Sequence, residues 1–490
     1  MPYISINPAT GKISKTFPSW SPQQLAAALE QTHHAQQAWR AASFEQRASL
    51  MTRLALLVRE RMLELAALAT QEMGKLAHEA RAEVEKCALA CDYYAVHAGP
   101  FLADEPIDTD AGKSYVAYEP LGTVLGVMPW NFPFWQAFRF AVPALMAGNA
   151  VVLKHASSVP QCALAIEQLF RDAGFPEHLF CSLLIEAEHV EDAIASHFVQ
   201  AVTLTGSEPA GRKVAAAAGH HLKKCVLELG GSDAFIVLAD ADIETTVNCA
   251  IATRFQNCGQ SCIAAKRFIL VPEIADRFAS LFAEKIRALK VGDPAQQDTQ
   301  IGPMARRDLM HELHRQVTDS IAQGALPIAG CQPLNGEAAY YAPSLLDQVT
   351  PKTRAYHEEL FGPVATIIRA QDEEDALRIA NDTRFGLGAS IWSHDYQRAE
   401  ALARRIESGL TFVNGPVKSD PRLPFGGIKA SGFGRELSYH GIREFVNAKT
   451  VWIRQGEPRT DRRQGDRRRE AQSWASDAIP GQPRDGNPQP

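Results

Sequence analysis

Apolar positions along the chain fall into two textures. Residues 21–98 keep helical spacing through a long, charge-flecked segment, with Leu50, Leu54 and Leu57 in step. Ser21 followed by Pro22 marks a helix start, and Ser43 with Gln46 has the capping-box pattern. From residue 123 the runs become short and nearly all apolar: TVLGVM (123–128), AVVLK (150–154), CSLLI (181–185), AVTLT (201–205) and CVLEL (225–229). Such runs fit strands buried on both faces, and the spacers between them are long enough for crossover helices. A second series follows in AFIVL (234–238), RFILV (267–271), ATIIR (365–369), ASIWS (389–393) and LTFVN (410–414). The alternation predicts an α/β protein with two doubly wound, Rossmann-like domains meeting near Gly230 and Gly231. The polar stretch 102–119 fits neither core and reads as a small β arm.

The C-terminal segment 455–490 differs again. RTDRRQGDRRRE is a dense charge block followed by Pro, Gly, Asp and Gln. Too little of it can be buried to offset its ordering entropy, so a disordered tail is expected. Its arginines are interleaved with acids, which argues against a nucleic-acid arm. The whole chain of 490 residues carries 50 Lys+Arg against 56 Asp+Glu, a net charge of −6. That balance disfavours nucleic acid and anionic membrane as partners. No apolar run is long enough to span a bilayer, and MPYISINPATGK lacks an export pattern. Nine cysteines, an odd number scattered along such a chain, are expected to be reduced thiols in the cytoplasm.

Four constellations carry chemistry. GSEPAG, Gly206–Gly211, ends a strand and opens a helix, and its backbone N–H groups suit either a phosphate or a plain tight turn. In NCGQSC, Cys262 occupies a Gly/Gln/Ser turn where a nucleophile can be exposed, whereas Cys258 reads as structural. No second Cys/His pair with ligand spacing follows, so no metal is expected. Glu228 lies inside the apolar run CVLELGG, where burial raises a carboxyl's pKa; it reads equally as a paired structural acid or as a general base. PWNFP, Pro129–Pro133, is either a proline-stiffened loop or a pocket wall in which Asn131 donates to an oxyanion.

PWNFP, VVLKH, TGS, ELGGSD, GQSC, EELFGPV and PFGGIKASGFGRE occur in that order. With their spacings, over residues 3–453, they resemble the aldehyde dehydrogenase superfamily. The resemblance implies oxidation of an aldehyde to the acid with NAD or NADP and no metal. Cys262 then matches the nucleophile that forms a thiohemiacetal, Asn131 the oxyanion donor, and Glu228 the base that activates water to hydrolyse the thioester. Lys154 matches the lysine on the adenosine ribose. Gly206, Ser207 and Gly211 match the phosphate turn, Trp130 lies in the cofactor cleft, and Glu359 and Phe361 match holders of the nicotinamide ribose. Many NAD-preferring members carry Glu three residues after the lysine; here it is Ser157, which implies that the 2′-phosphate of NADP is tolerated.

The implied architecture is a cofactor domain (1–101 and 120–230), a catalytic domain (231–430) and an oligomerisation arm (102–119 and 440–453) building a homodimer or homotetramer. Arg139 stands where succinate-semialdehyde dehydrogenases have an arginine for the substrate carboxylate. Gln256 replaces their second arginine, and the C-terminal motif resembles a bacterial NAD(P)-dependent branch of those enzymes. Ser419 or Arg422 is then expected to supply the missing contact. Oxidation of succinate semialdehyde is the leading expectation. The alternatives are a broad oxidiser of small aldehydes such as lactaldehyde or glutarate semialdehyde, a CoA-acylating enzyme, and a catalytically silent paralogue.

Overall fold

The computed structural model describes residues 3–334, 336 and 338–454, so the reading of 455–490 as a disordered tail lies outside the described residues. The helical segment resolves into Pro22–Trp39, Phe44–Glu60, Met62–Met73 and Ala77–Phe101. Both expected starts form as capping boxes. The Ser21 and Ser43 hydroxyls accept from the Gln24 and Gln46 amides at 3.3 Å, and those glutamines accept from the serine amides at 2.9 Å. Gly74 ends the third helix at φ 77°, and a Cβ there would meet Pro303 Cγ at 2.7 Å.

The first series of apolar runs forms a six-stranded sheet in the order 432–433, 224–228, 199–205, 123–128, 150–155, 180–182. All its neighbours are parallel except the short strand Gly432–Phe433, which runs antiparallel beside Lys224–Glu228. Its central strands, Thr123–Met128, Ala150–His155 and Val199–Thr205, are buried on both faces, as their composition requires. Val124, Val151 and Leu153 pack with Leu54, Tyr94 and Phe138 on one side. Leu125, Val152 and Leu204 pack with Leu25 and Leu29 on the other. CSLLI is shorter as a strand than expected, stopping at Ser182.

The second series forms a seven-stranded sheet in the order 326–329, 344–347, 364–369, 265–270, 233–237, 388–392, 410–413. It has its own core around Phe235, Phe268 and Trp392. The N-terminal hairpin, Tyr3–Ile6 with Ile13–Phe17, forms a separate two-stranded sheet. Among the described residues no helix is long and apolar enough to cross a membrane.

Asp104–Ala117, with the described residues from Ala448, separates as a small unit. It is built on a three-stranded sheet in which Lys113–Pro120 lies between Val446–Ile453 and Glu105–Pro106. The segment 440–447, read from sequence as part of the arm, belongs instead to the large unit. There, Ile442 and Phe445 are buried in the core of the first sheet.

Candidate active site

The PWNFP turn is anchored from behind. Glu83, on the helix Ala77–Phe101, accepts from the backbone amides of Phe134 and Trp135 at 2.8 and 2.9 Å, at the start of the helix Trp135–Met146. Lys75 pairs with the same carboxylate, and its ammonium lies 3.7 Å from the Phe132 ring centre. Buried His155 is held neutral, its pKa pushed down to about 4 by desolvation, and it bridges Pro133 O through Nε2 at 2.8 Å. Asn131, 4 % exposed, is thereby fixed. Its Nδ2 donates to Gln260 O at 3.1 Å, while its backbone O accepts from Asn257 Nδ2 at 2.8 Å. The oxyanion-donor candidate is thus tied to the loop of the nucleophile candidate.

That loop departs from ordinary backbone. Asn257 and Cys258 both sit at φ 54° and Gly259 at φ 70°, three consecutive left-handed residues. The strain is held by buried charge. Glu79 accepts from the Asn257 amide with both oxygens, at 3.0 and 3.1 Å; burial pushes its pKa up to about 7. Arg254 donates to Gly259 O at 3.1 Å and Leu360 O at 3.2 Å, and also to Gly362 O. Lys266 donates to Ser261 O at 2.9 Å and Cys262 O at 2.8 Å and pairs with Glu359 at 3.2 Å. Two cations therefore clamp the loop through its carbonyls. The Cys262 thiol is half-buried; desolvation pushes its pKa up to about 12, opposed first by the Arg139 and then by the Lys266 charge.

Glu228 ends the strand Lys224–Glu228, 2 % exposed and without a hydrogen-bond partner on either oxygen. Burial, then repulsion from Glu436, holds its pKa well above the ordinary carboxyl range, with Arg139 opposing. Glu436 is brought there because Gly432 pairs directly opposite Glu228. Arg139 is buried and pairs with Glu436 through Nε; its second nitrogen donates to Thr205 Oγ1 at 3.1 Å, and the guanidinium lies over the Phe425 ring. Its cation therefore already has an acidic partner, which weakens its expected role as a carboxylate clamp.

A cavity of about 180 Å³ opens on Cys262, with Arg139, Gln256 and Ser419 in its wall. Arg422 is not in that wall: it is exposed and paired with Asp420 at 2.6 Å. A larger cavity, about 930 Å³, takes in Lys154 and Ser157 but not Gly206 or Ser207. Among the described residues Lys154 has no ion-pair partner, and the buried Ser158 hydroxyl is unpartnered. Ser207 starts the helix Glu208–His220 without capping it by its side chain, leaving first-turn N–H groups open to an anion. These are features a dinucleotide fits. Gly211 has a packing role instead: a Cβ there would press on Leu229 at 2.5 Å. Trp130 and Phe361 meet edge to face at 5.9 Å, and Glu359 accepts from the Gly231 amide at 3.2 Å.

Sequence reasoning missed Glu79, Arg254, Lys266 and Glu436. Arg254 stands among polar residues in the helix Ile243–Phe255, and Lys266 is one of two adjacent charges in the fully buried strand Ala265–Leu270; in the strand, two charges beside an apolar run were a usable signal. Glu436 closes a motif that was quoted without assigning its acid.

The aldehyde dehydrogenase family model matches residues 2–451. A probable succinate-semialdehyde dehydrogenase [NADP(+)] from Synechocystis sp. is 51% identical over 453 residues, covering 92% of this chain and all of that protein. Succinate-semialdehyde dehydrogenase [NADP(+)] 1 of Mycobacterium ulcerans is 49% identical, again over 92% of this chain and all of its own length. The crystal structure of succinic semialdehyde dehydrogenase from Streptococcus pyogenes with NADP+ superposes with a TM-score of 0.91 at 38% identity, covering 92% of this chain and all of that one. The chain belongs to the aldehyde dehydrogenase family.

Proposed function

We propose that this protein oxidises succinate semialdehyde to succinate with NADP, through a thioester on Cys262. The reading is supported by the cavity that opens on Cys262, with Arg139, Gln256 and Ser419 in its wall, in a chain 49–51% identical to two succinate-semialdehyde dehydrogenases [NADP(+)]. The Cys262 thiolate attacks the aldehyde carbon, and Asn131 Nδ2 and the Cys262 backbone N–H donate to the resulting oxyanion. NADP, when bound, supplies the hydride acceptor. Glu228, once ionised, takes a proton from the water that hydrolyses the thioester. Lys154 and Ser157 bind the adenosine side, with Glu359, Phe361, Trp130, Gly206 and Ser207 along the rest of the cofactor. The exposed Trp452 and Ile453 on the outer strand Val446–Ile453 support a homodimer or homotetramer, placed here in the cytoplasm.

Steady-state rates on a panel of aldehydes with NADP and NAD test the reading. Succinate semialdehyde with NADP is expected to give the highest kcat/KM. A higher value with lactaldehyde or another uncharged aldehyde refutes it. Ser157→Glu is expected to lower kcat/KM for NADP by about 10- to 100-fold, through repulsion of the 2′-phosphate, and to affect NAD far less. Arg139→Met leaves Glu436 unpaired beside Glu228 and raises both carboxyls further. It is expected to lower kcat about 10-fold or more for charged and uncharged aldehydes alike, with the pH profile displaced to the alkaline side. A loss confined to KM for succinate semialdehyde would return Arg139 to the clamp.

A further inference from the structure

The strand Ala265–Leu270 follows directly on the loop of Cys262, and its pairing is irregular where it starts. Asp233 pairs with Ala265 and Ala234 with Arg267, so Lys266 is the extra residue of a bulge. A bulge beside a functional loop re-aims the side chain it carries. Arg267 turns to Ser232 O, Ile379 O and Ala380 O at 2.8–2.9 Å. Lys266 turns back along the chain instead. Its Nζ donates to Ser261 O at 2.9 Å, Cys262 O at 2.8 Å and Ala264 O at 3.4 Å. Gly231 leaves room for this, since a Cβ there would meet Cys262 O at 2.8 Å. Lys266 is buried and is not in the wall of the Cys262 cavity, so it reaches that cavity only through the backbone. It pairs with Glu359 at 3.2 Å, whereas the nearby Asp233, its pKa pushed up to about 7 by burial, leaves Oδ2 without a hydrogen-bond partner.

Ser261 O and the Cys262 N–H belong to one peptide group. Resonance couples the two: a cation that draws electron density onto the oxygen leaves the amide hydrogen more positive. We propose that Lys266 is a positioning residue for the oxyanion, which by holding Ser261 O fixes the plane of the Ser261–Cys262 peptide and strengthens its N–H as a donor. The proposal rests on the reading of Cys262 as the nucleophile. Lys266 transfers no proton in this role and touches no reacting atom. Asn131 Nδ2, the other donor, is tied to Gln260 O one peptide earlier, so the two donors are set on successive carbonyls of the same loop. The charge-assisted bond to Ser261 O matters most when negative charge has built up on the far side of that peptide.

The lysine's charge also favours the Cys262 thiolate, and the test must separate that effect from the one on the peptide. Iodoacetamide does so: the thiolate displaces iodide at a saturated carbon, and no oxyanion forms. Two rate constants are compared at one pH on the full chain. One is alkylation of Cys262 by iodoacetamide, read by mass spectrometry of its peptide. The other is kcat/KM for succinate semialdehyde at saturating NADP. In Lys266→Met, kcat/KM is expected to fall about 10- to 100-fold further than the alkylation rate constant. A fall no greater than that of alkylation overturns the proposal, because the lysine then acts on the thiol or on the loop as a whole. If that variant does not fold, Lys266→Gln, which can keep a neutral donor on Ser261 O, decides by the same comparison. A further fall of about 3- to 10-fold in kcat/KM supports the proposal, and none overturns it. A wild type that still oxidises aldehydes once Cys262 is alkylated refutes the reading of Cys262 itself.

Discussion

Cys262→Ser is expected to reduce aldehyde oxidation by about 10⁴-fold or more, for every aldehyde tested. The serine hydroxyl is a far weaker acid than a thiol and lacks its intrinsic nucleophilicity. Nothing in the loop compensates, because the Lys266 and Arg254 contacts are made to backbone carbonyls and to Glu359 rather than to the sulfur. For the same reason the fold should survive. The variant should keep its melting temperature and bind NADPH as the wild type does, read by nucleotide fluorescence. Retention of more than about one-hundredth of wild-type turnover would remove Cys262 from the mechanism. In the wild type, a thiol pushed up to about 12 is mostly protonated at neutral pH, so kcat/KM should climb with pH through the neutral range.

Glu228→Gln is expected to separate the two halves of the reaction. The first turnover should still release about one equivalent of NADPH per chain, and the steady-state rate should then fall by about 10²- to 10⁴-fold, because no base remains to activate water. Loss of the burst together with the steady state would assign Glu228 to thiol activation instead. The substitution also has a signed effect on stability. Glu228 is held protonated by burial and by Glu436, so its folded pKa lies above its unfolded value. Stability from that proton is fully present below the ordinary carboxyl range and is lost as pH rises through the raised folded value. Glutamine has no proton to lose. The variant should therefore melt higher than the wild type under alkaline conditions, with the gap closing in acid.

The ten apolar runs all contribute to strands, and most are buried on both faces, which leaves a mark in every residue; CSLLI stops as a strand at Ser182, and Leu410–Val413 is only part-buried. Ser344–Asp347 and Leu326–Ala329 left a weaker mark: the first is only four residues long, and the second is an exposed, proline-containing edge. Cys262, Asn131 and Glu228 were legible because each is an unusual residue for its local texture. Glu436 was not, since its meaning lies in a partner far along the chain, Arg139. Arg139 could be located from the sequence but not interpreted, because its counter-ion arrives through the pairing of Gly432 with Glu228.

That pairing also sets an order of events during synthesis. Glu228 leaves the ribosome roughly two hundred residues before Glu436, which at about 5–20 residues per second is on the order of 10 to 40 s. For most of that interval the nascent chain already contains its cysteine, its asparagine and its acid. It lacks the strand that closes against the acid and the second carboxyl that opposes its ionisation. On the mechanism proposed above, the surroundings that tune this base are thus among the last features the growing chain acquires, and a polypeptide that ends before residue 432 never acquires them.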